Sequence, residues 1–388
     1  MRILHVSSYF APAFTYGGPP KSIFGLCKAL QEIGIEIEVF TTTANGSGEL
    51  SAASVRSGSY DGLPVRYFPL AWPRRFFATS GLKEALEARV ESYDLVHVHG
   101  LWNVPGWLAA AASRRKSVPY LISPRGMLDR GSLAHHRIRK QVCFWLKEKQ
   151  HLRGAALLHA TSEAEKESIL RFGLGPPVEF VPNGVSTPQE PIRGSFRPRW
   201  NLPESAPLVV YLGRIHRTKR IDLLLAAFER VRMTRANAVL VVAGREDGLS
   251  WSSLRPEATG EVRWLGEVGE EDKWALLSEA SVLVLCSDSE SYGLSVAEAL
   301  SGGVPVVVTQ SCPWREVGTR GCGMWVEHDA EAIAEGITTI LGNPVEARRM
   351  GARGRELANE KYGWPSIAKQ MKLHYEELLS TTVRGVLA

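Results

Sequence analysis

The feature that most constrains this chain is the alternation of short apolar runs with longer amphipathic stretches. Runs of strand length stand at 3–6, 36–41, 95–98, 120–123, 157–160 and 178–181, and again at 208–212, 239–243, 262–265, 282–286 and 304–308. They are rich in β-branched residues and polar only at their ends, as strands buried on both faces require. Between them lie helical patterns: Ile221, Leu224, Leu225, Phe228 and Val231 fall on one stripe. Alternation repeated this often predicts an α/β protein with parallel sheets. The series also restarts. Pro182, Pro188, Pro191 and Pro198 punctuate the stretch before the run at 208, so the segment near 185–200 reads as a linker. The expectation is two doubly wound, Rossmann-like domains, 1–190 and 191–365, facing one another across a cleft. Ligands are expected at the carboxyl ends of their strands. An amphipathic segment within 366–388 follows Trp364-Pro365 and is expected to pack back on the first domain.

Composition narrows the class. A chain of 388 residues is too long for one ordinary core and fits two. No stretch reaches the roughly 18 to 20 apolar residues that span a bilayer. The five cysteines, Cys27, Cys143, Cys286, Cys312 and Cys322, are odd in number and scattered, without a Cys-x-x-Cys pair. That argues against a disulfide framework and against a zinc site, and a reducing cytoplasm is the expected home. The net charge of +5 suggests an anionic partner without naming one.

Three stretches carry chemistry. Tyr16-Gly17-Gly18-Pro19-Pro20-Lys21-Ser22 follows the first strand. Its glycines let backbone approach a ligand, and its prolines suit a helix start whose free amides attract phosphate. It matches neither the Walker loop nor Gly-x-Gly-x-x-Gly, and an ordinary turn is the alternative. The second stretch, 213–220, leaves a strand at Gly213 and presents Arg214, Arg217, Lys219 and Arg220 just before a helix. Cations there oppose the helix dipole. They point either to an anionic ligand, most simply a pyrophosphate on Arg214 and Lys219, or to a solvated basic turn.

The third stretch, Glu290-Ser-Tyr-Gly-Leu-Ser-Val-Ala-Glu298, places two carboxylates around a predicted helix start near Tyr292-Gly293. Glu290 falls in the loop after the strand and Glu298 about two turns into the helix. Carboxylates only accept hydrogen bonds, so each suits the vicinal hydroxyls of a ribose or hexose. The amides of Gly293 and Leu294 would welcome a phosphate.

Gly213-Arg214 with Lys219, the Glu290-to-Glu298 stretch, and Gly302-Gly-Val-Pro-Val-Val together resemble the C-terminal donor domain of retaining GT-B glycosyltransferases of family four, the group 1 glycosyl transferases. Pro182-Asn183-Gly184-Val185, His97-Val98-His99-Gly100 and Gly17-Gly18 are similar to that family's linker, histidine and first-loop segments, in the right order. The resemblance implies a GT-B fold and transfer of a hexose, with retention, from a nucleoside diphosphate sugar to a saccharide or lipid-linked saccharide acceptor. It implies that Arg214 and Lys219 neutralise the leaving diphosphate and that Glu298 holds the ribose. Glu290 would bind the donor sugar, with Gly293 and Leu294 donating amides beside it. His99 would lie near the reacting carbon and Gly17-Gly18 against the phosphates. No protein nucleophile is implied, and no metal or cofactor is expected. A catalytically silent sugar-nucleotide-binding protein, or a nicotinamide-dependent oxidoreductase, is the alternative.

Lys21, Trp102, Asn103, Arg125 and Asp129 are candidates for acceptor contact; the last four stand in loops after two N-terminal strands and resemble a subset of the family from bacterial surface-polysaccharide assembly. The basic stretch 135–147 has an apolar face including Ile138, Val142 and Trp145. It is either a packed surface helix or a site that docks on anionic lipid at the inner face of the cytoplasmic membrane. No nucleic-acid partner is expected.

Overall fold

The computed structural model describes residues 1–129, 132–133, 137–186, 196–254 and 261–386. The chain divides into two compact units, Met1–Gly184 with Trp364–Ala388, and Val185–Gly363.

The main sheet of the first unit has eight strands: β1 (Arg2–Ser7), β2 (Glu36–Thr42), β3 (Ser59–Tyr60), β4 (Leu63–Phe68), β5 (Leu95–His99), β6 (Tyr120–Ser123), β7 (Leu157–Ala160) and β8 (Val178–Phe180), in the order β8-β7-β6-β5-β1-β2-β4-β3. All neighbours run parallel except the β3–β4 hairpin. Strand β4 breaks the pattern of a continuous apolar run. Pro64 and Arg66 face outward between buried Leu63, Val65 and Tyr67, so near the sheet edge the run alternates and reads poorly as a buried strand.

The second unit has six parallel strands: β9 (Leu208–Leu212), β10 (Val239–Ala243), β11 (Val262–Trp264), β12 (Val282–Leu285), β13 (Val306–Thr309) and β14 (Gly323–Val326), in the order β11-β10-β9-β12-β13-β14. The predicted stripe Ile221, Leu224, Leu225, Phe228 and Val231 is buried along the helix Ile221–Thr234. In both units the chain winds outward from the first strand on one side and then crosses to the other. Each sheet therefore has a topological switch point, between β1 and β5 and between β9 and β12, where an open α/β sheet leaves a crevice.

Trp364 explains two glycines. A Cβ added at Gly25 would lie 2.1 Å from the Trp364 ring, and one at Gly184 2.2 Å from its other part. The glycine of the Pro182-Asn183-Gly184 segment thus makes room for the indole that starts the helix Trp364–Val386. That helix sends Ile367, Met371 and Tyr375 into the core of the first unit. No helix among the described residues is long and apolar enough to cross a membrane.

Candidate active site

At the second unit's switch point, β9 ends at Gly213 and β12 runs into the loop holding Glu290. Lys219, the last residue of the short turn Arg217–Lys219, donates to Glu290 Oε1. Ser287 Oγ donates to the same oxygen at 2.9 Å. Lys219 and Glu290 are largely buried, so this ion pair sits in reduced dielectric and is held more tightly than a surface pair. Arg214 is more open to solvent and pairs with Asp247. Arg220, held at φ 52°, bonds Asp222 at 3.0 Å and Asp288 at 3.1 Å. The loop's cations are therefore placed by acids from three other segments.

The helix that follows is Leu294–Gly302. Gly293 precedes it in a left-handed conformation, φ 82°. A Cβ there would lie 2.9 Å from Leu285 Cδ2 and 3.0 Å from Trp314 Nε1, so both conformation and space require glycine. Trp314, itself buried, donates its indole N–H to the Tyr292 carbonyl, which keeps Tyr292 outside the helix. The helix thus starts one to two residues later than predicted. Glu298 is its fifth residue, just over one turn in, rather than two turns in.

Glu298 is almost buried and accepts from Lys273 Nζ at 2.5 Å. Lys273 also donates to Glu270 at 2.6 Å. Burial works against the Lys273 ammonium, but Glu298 and Glu270 together hold its pKa above the ordinary lysine value.

The first unit's switch point has a different character. Ser7 at the end of β1 pairs with His99 at the end of β5. A pocket opens there, walled by Ser7, Tyr9, His99, Leu101, Asn103 and Arg125 among others. The Arg125 guanidinium donates to His99 Nδ1 from Nε at 3.3 Å and Nη2 at 3.2 Å, and to Ser22 Oγ at 2.9 Å and Asn183 Oδ1 at 3.1 Å from Nη1. An arginine can only donate, so His99 Nδ1 is the acceptor and its Nε2 carries the hydrogen. That hydrogen goes to His5 Nδ1 at 2.9 Å.

A second chain runs beside it. Its direction is set at one end by the Val181 carbonyl, which can only accept from His159 Nε2 at 2.7 Å. His159 Nδ1 then accepts from Ser123 Oγ at 2.6 Å, Ser123 Oγ accepts from His97 Nε2 at 2.6 Å, and His97 Nδ1 accepts from the Tyr375 hydroxyl at 2.7 Å. Burial holds His97 and His99 well below the ordinary histidine value and His5 and His159 down to about 3. Burial likewise pulls the Arg125 guanidinium to about 10. His5, His97 and His99 offer nitrogens within 4.8 Å of one another. Both nitrogens of His97 and of His99 are already hydrogen-bonded, and a guanidinium sits against the group, so the donor set does not suit a cation.

These two sites decide what the whole-chain comparisons mean. Residues 193–357 match the family "Glycosyl transferases group 1" and residues 17–184 the "Glycosyl transferase 4-like domain". A D-inositol 3-phosphate glycosyltransferase of Streptomyces scabiei is 30% identical over 384 residues, spanning 91% of this chain and 84% of the relative. The chain belongs to the group 1 glycosyl transferases. A GDP-mannose:cellobiosyl-diphosphopolyprenol alpha-mannosyltransferase of Komagataeibacter xylinus is 24% identical, covering 98% of the transferase and 94% of the relative. Among solved structures, sucrose-phosphate synthase from Thermosynechococcus elongatus superposes with a TM-score of 0.75 at 23% identity, over 98% of this chain and all of that one. Anabaena HepE in complex with UDP-glucose superposes at 0.71 and 17% identity, over 98% and 100%. The fold is GT-B.

In the transferase, the expected donor residues Lys219 and Glu290 meet directly, with Gly293 and Leu294 at the helix start after them. Arg214 reaches Asp247, and Glu298 reaches Lys273. Of the acceptor candidates, Arg125 and Asn103 line the pocket with His99, and Trp102 and Asp129 do not. Asn103 is spent as a helix cap: its Oδ1 accepts from Gly106 N at 2.7 Å and its Nδ2 donates to the Leu101 carbonyl at 3.0 Å. Trp102 packs against the core, and its indole N–H is buried without a partner among the described residues. Asp129 lies beside Glu165 and Ser168, and burial, with Glu165, raises it to about 6. Gly17, at φ 82°, and Gly18 open the helix Gly18–Glu32; Pro19, not either glycine, lines the pocket. Lys21 stands 5.9 Å over the Phe14 ring. The basic stretch is described only in part. Residues 135 and 136 lie outside the described residues, as do the side chains of 137–139.

Sequence reasoning missed Lys273, Asp247, His5 and Glu148. Lys273 sits in Glu-Glu-Asp-Lys at a helix start, a pattern that reads as solvated. His5 had a usable signal, since parallel β1 and β5 pair His5 with His97.

Proposed function

We propose that the transferase moves a hexose, with retention and without a metal, from a nucleoside diphosphate sugar to a saccharide or lipid-linked saccharide acceptor. The observation that carries this reading is the largely buried Lys219–Glu290 pair beside the left-handed Gly293 that precedes the helix Leu294–Gly302. A cation, a carboxylate and free helix-start amides at one strand end suit a diphosphate bonded to a sugar. On binding, Lys219 and Arg214 would turn from their acids to the diphosphate and stabilise the charge that develops as it leaves. Glu290, released, would accept from hydroxyls of the hexose. Glu298, its rotamer fixed by Lys273, would accept from the ribose hydroxyls through its other oxygen. The leaving phosphate would help take the acceptor's proton, so no protein nucleophile is assigned. Gly17 and Gly18 would serve phosphate contact.

The His99 pocket, with its neutral imidazoles and hydroxyls, suits a hydroxyl-rich acceptor, and Arg125 adds one positive charge. The names of the relatives cover an inositol phosphate and a diphosphopolyprenol-linked disaccharide, both anionic. The helical stretch containing Arg137–Cys143 supports a lipid-linked acceptor at an anionic membrane surface. Val142, Trp145 and Leu146 are 53%, 68% and 70% exposed, among Lys140, Lys147 and Lys149.

Thermal shifts with UDP, GDP and ADP and their sugars test the donor half, because a ligand stabilises the state it binds. One nucleotide sugar should stand out, its turnover should survive EDTA, and the product should keep the donor's anomeric configuration by NMR. No shift with any nucleotide, metal dependence, or an inverted product would overturn the reading. Flotation with anionic and neutral liposomes tests the surface; binding to neither kind would remove the membrane from it.

A further inference from the structure

Glu148 is a carboxylate that neither site above uses, and it is fully buried. It ends the π-helical turn Phe144–Glu148, between the α-helical segments Arg137–Cys143 and Lys149–Arg153. Such turns shift the helix register by one residue and recur at functional sites. Here the shift accompanies a carboxylate that points away from solvent while Trp145 and Leu146, on the same turn, are exposed.

Glu148 Oε1 accepts from the backbone N–H of Trp102 at 2.5 Å and from Trp107 Nε1 at 2.7 Å. Its Oε2 is buried with no partner among the described residues. Trp102 holds a left-handed backbone, φ 59°, which a bulky side chain rarely adopts without outside support. Trp102 lies in the loop 100–103 that joins β5 to the helix Val104–Arg115, and Gly100, Leu101 and Asn103 of that loop wall the His99 pocket. The loop's other ties are Gly100 N to the Ser123 carbonyl at 2.8 Å, Leu101 N to Met127 Sδ at 3.1 Å and the Asn103 cap. Glu148 is thus the one acidic anchor of this wall among the described residues.

We propose that Glu148 is a positioning residue for the acceptor pocket, its Oε1 fixing the Trp102 backbone and so the wall that Gly100, Leu101 and Asn103 present beside His99. This rests on the reading of that pocket as the acceptor's. Trp102 then has a role that touches no substrate: its amide is the handle by which the loop is held.

The test compares Glu148→Gln with Glu148→Ala in the full chain. The glutamine keeps an oxygen where Oε1 stands, and the alanine leaves two buried N–H groups unpaired. Hydrogen exchange of the peptide spanning 100–107 should quicken at least about fivefold in the alanine variant and stay near the parent in the glutamine variant. The peptide spanning 290–298 should not change in either. With the donor chosen by thermal shift and any saccharide that supports turnover, acceptor KM should rise by a similar factor in the alanine variant only, and donor KM should hold. Exchange that quickens evenly through the first unit, or a glutamine variant as loose as the alanine one, would overturn the proposal. A loosened loop rescued by glutamine, with acceptor KM unchanged, would keep Glu148 as the loop's anchor and overturn the acceptor reading of the pocket.

Discussion

Where β1 meets β5, the first unit gathers imidazoles, hydroxyls and one guanidinium, all joined by hydrogen bonds whose direction can be traced. Where β9 meets β12, the second unit gathers ammonium, guanidinium and carboxylate groups, paired as ions. The winding is alike in both, so topology does not explain the contrast. On the reading proposed above, ligand chemistry does. A hydroxyl-rich acceptor is best gripped by groups that both donate and accept, and a site held neutral provides them. A diphosphate needs cations, and buried cations need counterions until the ligand arrives. On that reading, the ion pairs of the second unit would be stand-ins for the bound state, whereas the imidazole network is nearly self-contained, with only His5 Nε2 buried and without a partner among the described residues.

The largest expected consequence is a difference in acid sensitivity. His5, His97, His99, His151 and His159 are all held neutral by burial in the first unit, with His5, His151 and His159 near 3. Unfolded, each binds a proton near 6.5, so between about 6.5 and 3 the unfolded chain takes up protons that the folded chain refuses. Their stabilisation is whole above about pH 6.5 and is lost as pH falls, at up to about 1.4 kcal/mol per unit for each. Glu148, raised to about 7, and Asp129, raised to about 6, work in the opposite sense, but they are two against five. Thermal melts from pH 7.5 to 5, with proteolytic sites mapped by mass spectrometry, should show the first unit opening first. Equal loss in both units would break the contrast.

Next in size is Lys219→Ala, expected to lower kcat/KM by about 10²–10³, the cost of removing one donor to a developing anion. Its melting temperature should fall much less, since Glu290 keeps Ser287. Activity and stability falling in proportion would make the lysine a structural counterion. Close behind is Lys273→Met, which leaves Glu298 nearly buried and unpaired. About 3 kcal/mol of stability should go, and affinity for the free nucleoside diphosphate should weaken with it. Unchanged affinity would remove Glu298 from the ribose.

These sites were not equally legible. The parallel sheets were readable because β-branched runs such as 239–243 suit strands buried on both faces, and strands β4 and β14 were not, because Pro64 and Arg66 of β4 are exposed and three of the four residues of β14 are only partly buried. The residues that gather at the second unit's switch point were visible because Lys219, Glu290 and Gly293 occupy short, ordered motifs at strand ends. Lys273 was hidden, because its partner lies 25 residues away and three acids around it imitate a solvated helix start. Asn103 was legible only in part, for a related reason: it lines the pocket, but its side chain is engaged as a cap. Placed just after a strand it reads as a ligand contact, yet the same position is that of a helix cap. Local pattern reveals which residues can do chemistry, and register across the sheet decides which of them meet.

The smallest effect, and the cleanest probe of the neutral network, is Tyr375→Phe. The change keeps the ring in the core and removes only the hydroxyl that donates to His97 Nδ1. A buried acceptor left without a donor costs about 1–3 kcal/mol. A proton on His97 Nδ1, which burial and its neighbours His5 and His159 oppose, would find no acceptor on the phenylalanine ring, and a reversed tautomer would leave Nδ1 equally unpaired while stranding Ser123 and His159. The loss should therefore be nearly constant from pH 8 to 6.5, where a network of ion pairs with shifted carboxylates would vary. Chemical denaturation across that range measures it. A destabilisation that disappears toward pH 6.5 would mean that His97 accepts a proton when its partner is gone, and the first unit would then be storing charge much as the second does.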